Sequence, residues 1–259
     1  MIFLLSPAKS LDYETPVPPD LPSHKPLFMR PAGQLIEILK AKTAAQISSL
    51  MDLSDKLAAL NVARYQAWRP TATAKNAKQA ILAFDGDVYD GLNAKNLSAE
   101  QLAWADGSIC ILSGLYGALR PLDLLQPYRL EMGTALPNAN GKNLYEFWGD
   151  TVSNHINKLQ KADKEPVVIN LASQEYSKVV RKKVLKARVI ECIFEEHKNG
   201  VYKVISFMAK RARGRMARFA IEQQIDESEK LKDFKADGYA FAKAASSGDR
   251  WVFRRKLAS

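Results

Sequence analysis

Four short apolar runs, each closed by a small polar loop, set the limits on what this chain can become. They are residues 2–5 (IFLL), 81–84 (ILAF), 109–112 (ICIL) and 167–171 (VVINL). Runs this short and this apolar suit strands buried on both faces. Stretches with helical spacing separate them, as in a mixed α/β fold. Apolar runs recur from residue 2 to residue 253 with no linker between them. The sequence therefore predicts one domain over 1–259, a mixed α/β fold with a central mixed sheet flanked by helices. The loops that close the runs are Ser6-Pro7-Ala8-Lys9, Asp85-Gly86-Asp87, residues 113–117 and residues 172–176. In α/β sheets ligands collect at the carboxyl ends of strands, so these loops are the first place to expect a cleft.

Helices are predicted over 34–42, 44–51, 54–68, 97–104, 144–161, 176–187 and 209–224, the one at 97–104 opened by Ser98 and Gln101 in capping-box spacing. A hairpin is predicted across His197-Lys198-Asn199-Gly200, whose Asn-Gly is a strong turn signal. Trp251 to Arg254 reads as an edge strand. Residues 15–31 hold six of the twelve prolines and should run extended over the surface.

Charge narrows the function classes. The net charge is +10, and it is concentrated. Residues 178–188 (KVVRKKVLKAR) hold six basic side chains and residues 210–218 (KRARGRMAR) hold five, neither with an acid. Without those eleven, 27 basic residues face 28 acidic ones. Concentrated charge implies an anionic partner. On a helical wheel of the second window, Met208, Ala212, Met216 and Phe219 face the core. Arg211, Arg215 and Arg218 form one flank, Lys210 and Arg213 the other. Gly214 lies between the flanks, where a bare backbone would let a phosphate approach. The bland alternative is a solvated face with Arg218 paired to Glu222.

Residues 108–133 set Arg120, Arg129 and Glu131 among Leu and Pro. Such charges are paired or functional. Either they form an internal scaffold, with Arg120 or Arg129 on Asp123 or Glu131, or they line a ligand site.

No Walker A or G-x-G-x-x-G motif occurs, so no cofactor is assigned. Cys110 and Cys192 sit in apolar runs and read as buried free thiols. His24, His155 and His197 are scattered, which disfavours zinc. The N-terminal apolar run is too short for a signal peptide, and no run would span a membrane, so the cytoplasm is the expected compartment.

Several strings are long and unusual: SPAKSLDY at 6–13, ILAFDGDVYDGL at 81–92, LSGLYGALRPLDLLQPYRLEMG at 112–133, LYEFWGD at 144–150, INLASQEYSK at 169–178 and AKRARGRMARF at 209–219. Together they resemble the YaaA family of peroxide-stress proteins over almost the whole chain. The resemblance implies a protein that limits iron-dependent damage to DNA, and one that binds DNA through a positive cleft and a helix–hairpin–helix element. No established catalytic activity comes with it. The element maps onto residues 44–68, whose turn, Met51-Asp52-Leu53-Ser54-Asp55, carries two acids and no glycine.

The expected function is DNA binding, duplex or branched, with little sequence readout. The nucleic-acid contacts would come from Lys9, Arg120, Lys178, Arg181, Lys182, Lys210, Arg211, Arg213, Arg215 and Arg218. No metal site, catalytic residue, membrane partner or obligate protein partner is assigned. Two alternatives remain. One is an enzyme acting on a nucleotide or nucleic acid, with a site built from Lys9, Ser113, Tyr116, Arg120 and Ser173. The other is an iron-handling protein using Asp85, Asp87 and Glu175 as oxygen ligands.

Overall fold

A computed structural model describes residues 1–256. Its core is one mixed sheet. From edge to edge the strands are Ala240–Phe241, Arg250–Arg255, Arg188–Lys198, Val167–Asn170, Ile2–Leu5, Ile109–Ser113 and Gly117–Leu119, with Val201–Lys203 folded back on Arg188–Lys198. The five central strands are parallel to one another, and the outer two of this row run antiparallel to their neighbours. Ile2–Leu5 is central and wholly buried, as a run of four apolar residues requires. The predicted mixed α/β domain with helices around a central sheet is what forms.

Several elements differ from the sequence reading. The 81–84 run joins no main-sheet strand. Ala80–Ala83 is one helical turn, and Phe84–Asp85 pairs antiparallel with Ser10–Leu11. A short apolar run carries no periodicity that could separate the two outcomes. The long helix expected over 144–161 is two, Leu144–Trp148 and Thr151–Leu159, broken at Gly149, whose φ is +49°. The first helix starts at Met29, because Pro31 fits a first turn, where its missing N–H costs nothing. Arg250–Arg255 is not an edge strand, since Ala240–Phe241 covers its outer side.

The basic helix expected over 176–187 does not exist. Gln174–Ser177 makes one turn, and the chain continues in turns to residue 187. Like charges at Lys182, Lys183 and Lys186, and three β-branched valines, disfavour helix there. Ser206–Glu222, by contrast, is a full helix. The Asn-Gly hairpin forms, with positive φ at Asn199 and Gly200. Ser98 and Gln101 close a reciprocal capping box on Ala99–Ser108.

Ala44–Met51 and Asp55–Ala67 form a helical hairpin whose left-handed turn residue is Asp52. Asp52 and Asp55 place two acids at the junction.

Residues 108–133 explain their own glycines. A Cβ on Gly114 would lie 2.2 Å from the Leu130 carbonyl oxygen. Gly117 has φ +68° and would drive a Cβ to 2.7 Å from the Trp148 ring. The buried hydroxyls are paired: Ser113 with Tyr128 at 2.6 Å, and Tyr116 accepting from Trp68 Nε1 at 2.9 Å. Arg120 grips the buried Asp123 at 2.7 Å, and Arg129 reaches Glu131 at 2.9 Å. Arg120 and Asp123 thus serve as internal scaffold, whereas Glu131 also lines the cleft at the carboxyl end of the sheet.

Candidate functional site

The loops at the carboxyl end of the sheet converge. Pairing of Ser10–Leu11 with Phe84–Asp85 draws the Asp85-Gly86-Asp87 turn against the Ser6–Lys9 loop. Ser173 N–H donates to Ser6 Oγ at 2.9 Å, and Tyr89 hydroxyl donates to the Ser6 carbonyl at 3.1 Å. Glu175 is fixed by the Gly133 amide, which donates to its Oε1 at 2.9 Å. The Ser206–Glu222 helix closes one side. The result is a cleft of about 410 Å³ with Ser6, Lys9, Asp85, Asp87, Glu131, Ser173, Glu175, Lys210 and Arg213 on its walls.

Two of its three cations face carboxylates of the same cleft. Lys9 is 3.0 Å from Glu131, which Arg129 also holds, and Lys210 is 4.0 Å from Asp87; both lysines are well exposed. The third is different. Arg213 has its Nε fully shielded from solvent with no hydrogen-bond partner among the described residues. Burial pulls its guanidinium pKa below the ordinary value. It lies beside Cys192, whose thiol burial pushes up to about 12 despite that neighbouring charge. Arg213 is half-buried in the cleft wall and its terminal nitrogens carry no ion pair or hydrogen bond among the described residues, so those nitrogens, and not the sealed Nε, are what an acceptor from outside could engage.

Four carboxylates share this cleft with the cations. It is of mixed sign, and the purely basic trough expected from sequence is not what forms. Among the described residues no three His, Cys, Asp or Glu side chains sit together as metal ligands, so Asp85, Asp87 and Glu175 share a cleft without sharing a coordination sphere.

The other basic residues named from sequence are placed elsewhere. Arg211 and Arg215 share Asp237, at 3.5 and 3.3 Å. Arg218 holds Glu222 at 2.7 Å and the carbonyls of Leu92 and Asn93. Lys178 lies 4.8 Å above the Tyr145 ring, Arg181 pairs with Asp150 at 2.9 Å, and Lys182 with Glu191 at 3.4 Å. Arg120 donates to Asp123 and the Lys25 carbonyl and is not part of the cleft wall.

The two basic windows also lie on opposite faces of the sheet. Ser177, Val180, Lys182 and Leu185 cover Leu4, Val168, Val189 and Glu191. Arg213 sits against Cys192. Successive strand residues point to opposite faces, so Glu191 and Cys192 separate the two windows. Only the helix Ser206–Glu222 reaches the cleft.

Gly214 is not the open phosphate approach expected from the wheel. It is buried against the Asp87–Leu92 helix, where a Cβ would lie 1.8 Å from the Val88 carbonyl oxygen; a Cβ on Gly91 would lie 2.2 Å from that of Arg211. The two glycines let the helices touch backbone to backbone, which seats Lys210 and Arg213 over the Asp85–Asp87 turn. The sequence leaves Glu131 open between scaffold partner and ligand-site residue, and the structure puts it in the cleft wall while Arg129 holds it. Its one signal was a lone acid between Leu130 and Met132.

No helix among the described residues is long and apolar enough to cross a membrane.

The family model described as "Peroxide stress protein YaaA" matches residues 1–245. A UPF0246 protein of Polaromonas sp. (strain JS666 / ATCC BAA-500) is 60% identical over 260 residues, covering 100% of both chains. One from Leptothrix cholodnii is 61% identical over 255 residues, covering 98% of each. One from Bordetella avium is 57% identical over 257 residues, covering 99% of this chain and 100% of the relative. The chain, built on a parallel-centred sheet with a mixed-charge cleft at its carboxyl edge, belongs to the peroxide stress protein YaaA family.

Proposed function

We propose that this chain serves the peroxide response by binding DNA with little sequence preference, with the phosphate anchor in the cleft. Arg213 takes the phosphate, Lys210 assists at the rim, and Lys9 adds a third, peripheral cation. Covering DNA in this way would limit iron-dependent damage to it. The observation that supports this is that Arg213 lines the cleft with its terminal guanidinium nitrogens unpaired among the described residues. Arginine suits phosphate because its planar fork presents several donors at once. Arg211, Arg215 and Arg218 engage partners away from the cleft lining, and Lys178, Arg181 and Lys182 are not part of it either, so they contribute less.

The test is duplex affinity against salt. Changing Arg213 and Lys210 together to Gln should flatten the log–log slope by roughly 2 units, as expected for two lost phosphate contacts. Changing Lys178, Arg181 and Lys182 together should leave it nearly unchanged. An unaltered slope in the first variant rejects the cleft as anchor.

A second reading is favoured by the carboxylates. Asp85, Asp87, Glu131 and Glu175 would repel a long polyanion threaded through the cleft, yet suit one nucleotide, with its phosphate on Arg213 and its hydroxyl and amine donors on the acids. In that reading the cleft takes a nucleotide or one nucleotide unit of a nucleic acid as substrate. Calorimetry with nucleoside monophosphates, and crystals soaked with them, separates it from duplex binding alone.

A further inference from the structure

The segment that leads into the cleft helix is unusually apolar on its outside. Val201 is 57% exposed, Tyr202 38%, Val204 52% and Phe207 57%. Alternation along the strand Val201–Lys203 turns Val201 away from Tyr202, which leaves Tyr202, Val204 and Phe207 as the exposed side chains able to form one patch. The patch has a basic surround. From His197 to Ile221 the chain has no acidic residue, while Lys198, Lys203, Lys210 and Arg211 lie within it. Lys198 and Lys203 are exposed, with no ion pair among the described residues. Tyr202 is held edge-on to His197 at 5.1 Å and beneath the Arg254 guanidinium at 4.3 Å, so one flat ring is braced in a fixed place. Phe207 stands about one helical turn, roughly 5 Å along the axis, before Lys210, which lines the cleft.

Resting on the DNA-binding reading above, we infer that Tyr202, Val204 and Phe207 form a stacking platform for unpaired bases of a nucleic acid whose phosphate is held at Arg213 and Lys210. Bases stack on aromatic and apolar side chains without regard to sequence, and flanking cations track the backbone. Charge complementarity selects this occupant. A second copy of the chain would bring Lys198, Lys203 and Lys210 against their own equivalents in an isologous contact. An unpaired strand brings phosphates to the lysines and flat apolar faces to the rings.

The experiment compares Phe207→Ser with Val204→Ser, and both with the native chain, by fluorescence anisotropy on a labelled single strand, a gapped duplex and a blunt duplex of equal length. Both side chains are exposed, so melting temperatures should match the native value. Single-strand and gapped-duplex affinity should fall about tenfold for Phe207→Ser, within the range for one lost stacking partner, and blunt-duplex affinity should change less than twofold. Equal loss on all three ligands, or none on any, overturns the platform while leaving the phosphate anchor standing. A native chain that binds none of the three overturns the DNA reading itself. A native dimer in sedimentation that Phe207→Ser converts to monomer, with single-strand affinity unchanged, assigns the patch to self-association and rejects the inference.

Discussion

Gly214 lies so close to Val88 that a methyl group added to it would stand 1.8 Å from the Val88 carbonyl oxygen. No rotation of a side chain relieves that contact, because both sides are backbone. Gly214→Ala should therefore push the two helices apart. The expected cost is about 1–3 kcal/mol of stability, as for other overpacked sites, with a matching loss of phosphate binding as Arg213 moves. Urea unfolding of Gly214→Ala and Gly91→Ala checks this. Stability within a few tenths of a kcal/mol of native would show that the helices can part freely.

Arg213 should show the opposite sign. A guanidinium that is partly desolvated, with its Nε sealed and unpaired, is a cost to the fold it sits in. Arg213→Met keeps the volume and removes the charge. The expected result is unchanged or higher stability, by about 1 kcal/mol, together with weakened binding of duplex DNA or nucleotide. A variant that is both less stable and fully competent to bind would mark Arg213 as structural.

Asp123 sets a pH dependence. It is fully buried, and burial lifts its carboxyl from the ordinary 3.8 to about 6, even though Arg120 opposes the shift. With the folded pKa above the unfolded one, the folded state binds the extra proton between those values. Stability contributed through this group is thus greatest at low pH and declines as pH rises from about 4 to 6. By linkage the decline is of order 1–3 kcal/mol. Asp123→Asn should flatten the stability profile across this window. A native profile that rises with pH there, with the variant parallel to it, would refute the assignment.

Thiol chemistry should be silent. Cys110 and Cys192 are free and buried, and burial raises both thiols to about 12. Thiolate is the reactive form, so hydrogen peroxide and thiol reagents should leave both untouched in the folded chain. A colorimetric disulfide reagent at pH 8 should find both thiols in denaturant and neither in the native protein within minutes. Rapid native labelling would make one of them a redox sensor.

Local chemistry was legible where neighbours in sequence decide the outcome. The strands at residues 2–5, 109–112 and 167–170 follow from short apolar runs, the Ser98 cap from its spacing to Gln101, and the hairpin from Asn199-Gly200. The wheel of the cleft helix also placed Lys210 and Arg213 on one flank and Arg211, Arg215 and Arg218 on the other. What failed depended on packing. Gly214 looked exposed because nothing in its own helix says that Gly91 lies across from it. The window 178–188 looked like a partner for 210–218, but only strand alternation at Glu191 and Cys192 shows them back to back. Asp237, which engages Arg211 and Arg215, lies more than twenty residues away and offered no sign of that role.

Ile2–Leu5 takes its partners from strands beginning at residues 109 and 167. During synthesis at roughly 5–20 residues per second, this strand is made at least several seconds before either neighbour. Until then its four apolar residues have no partner strand. Nascent molecules are thus exposed to aggregation at this strand for that interval, and they should rely on chaperones there more than a protein whose strands pair with their neighbours in sequence.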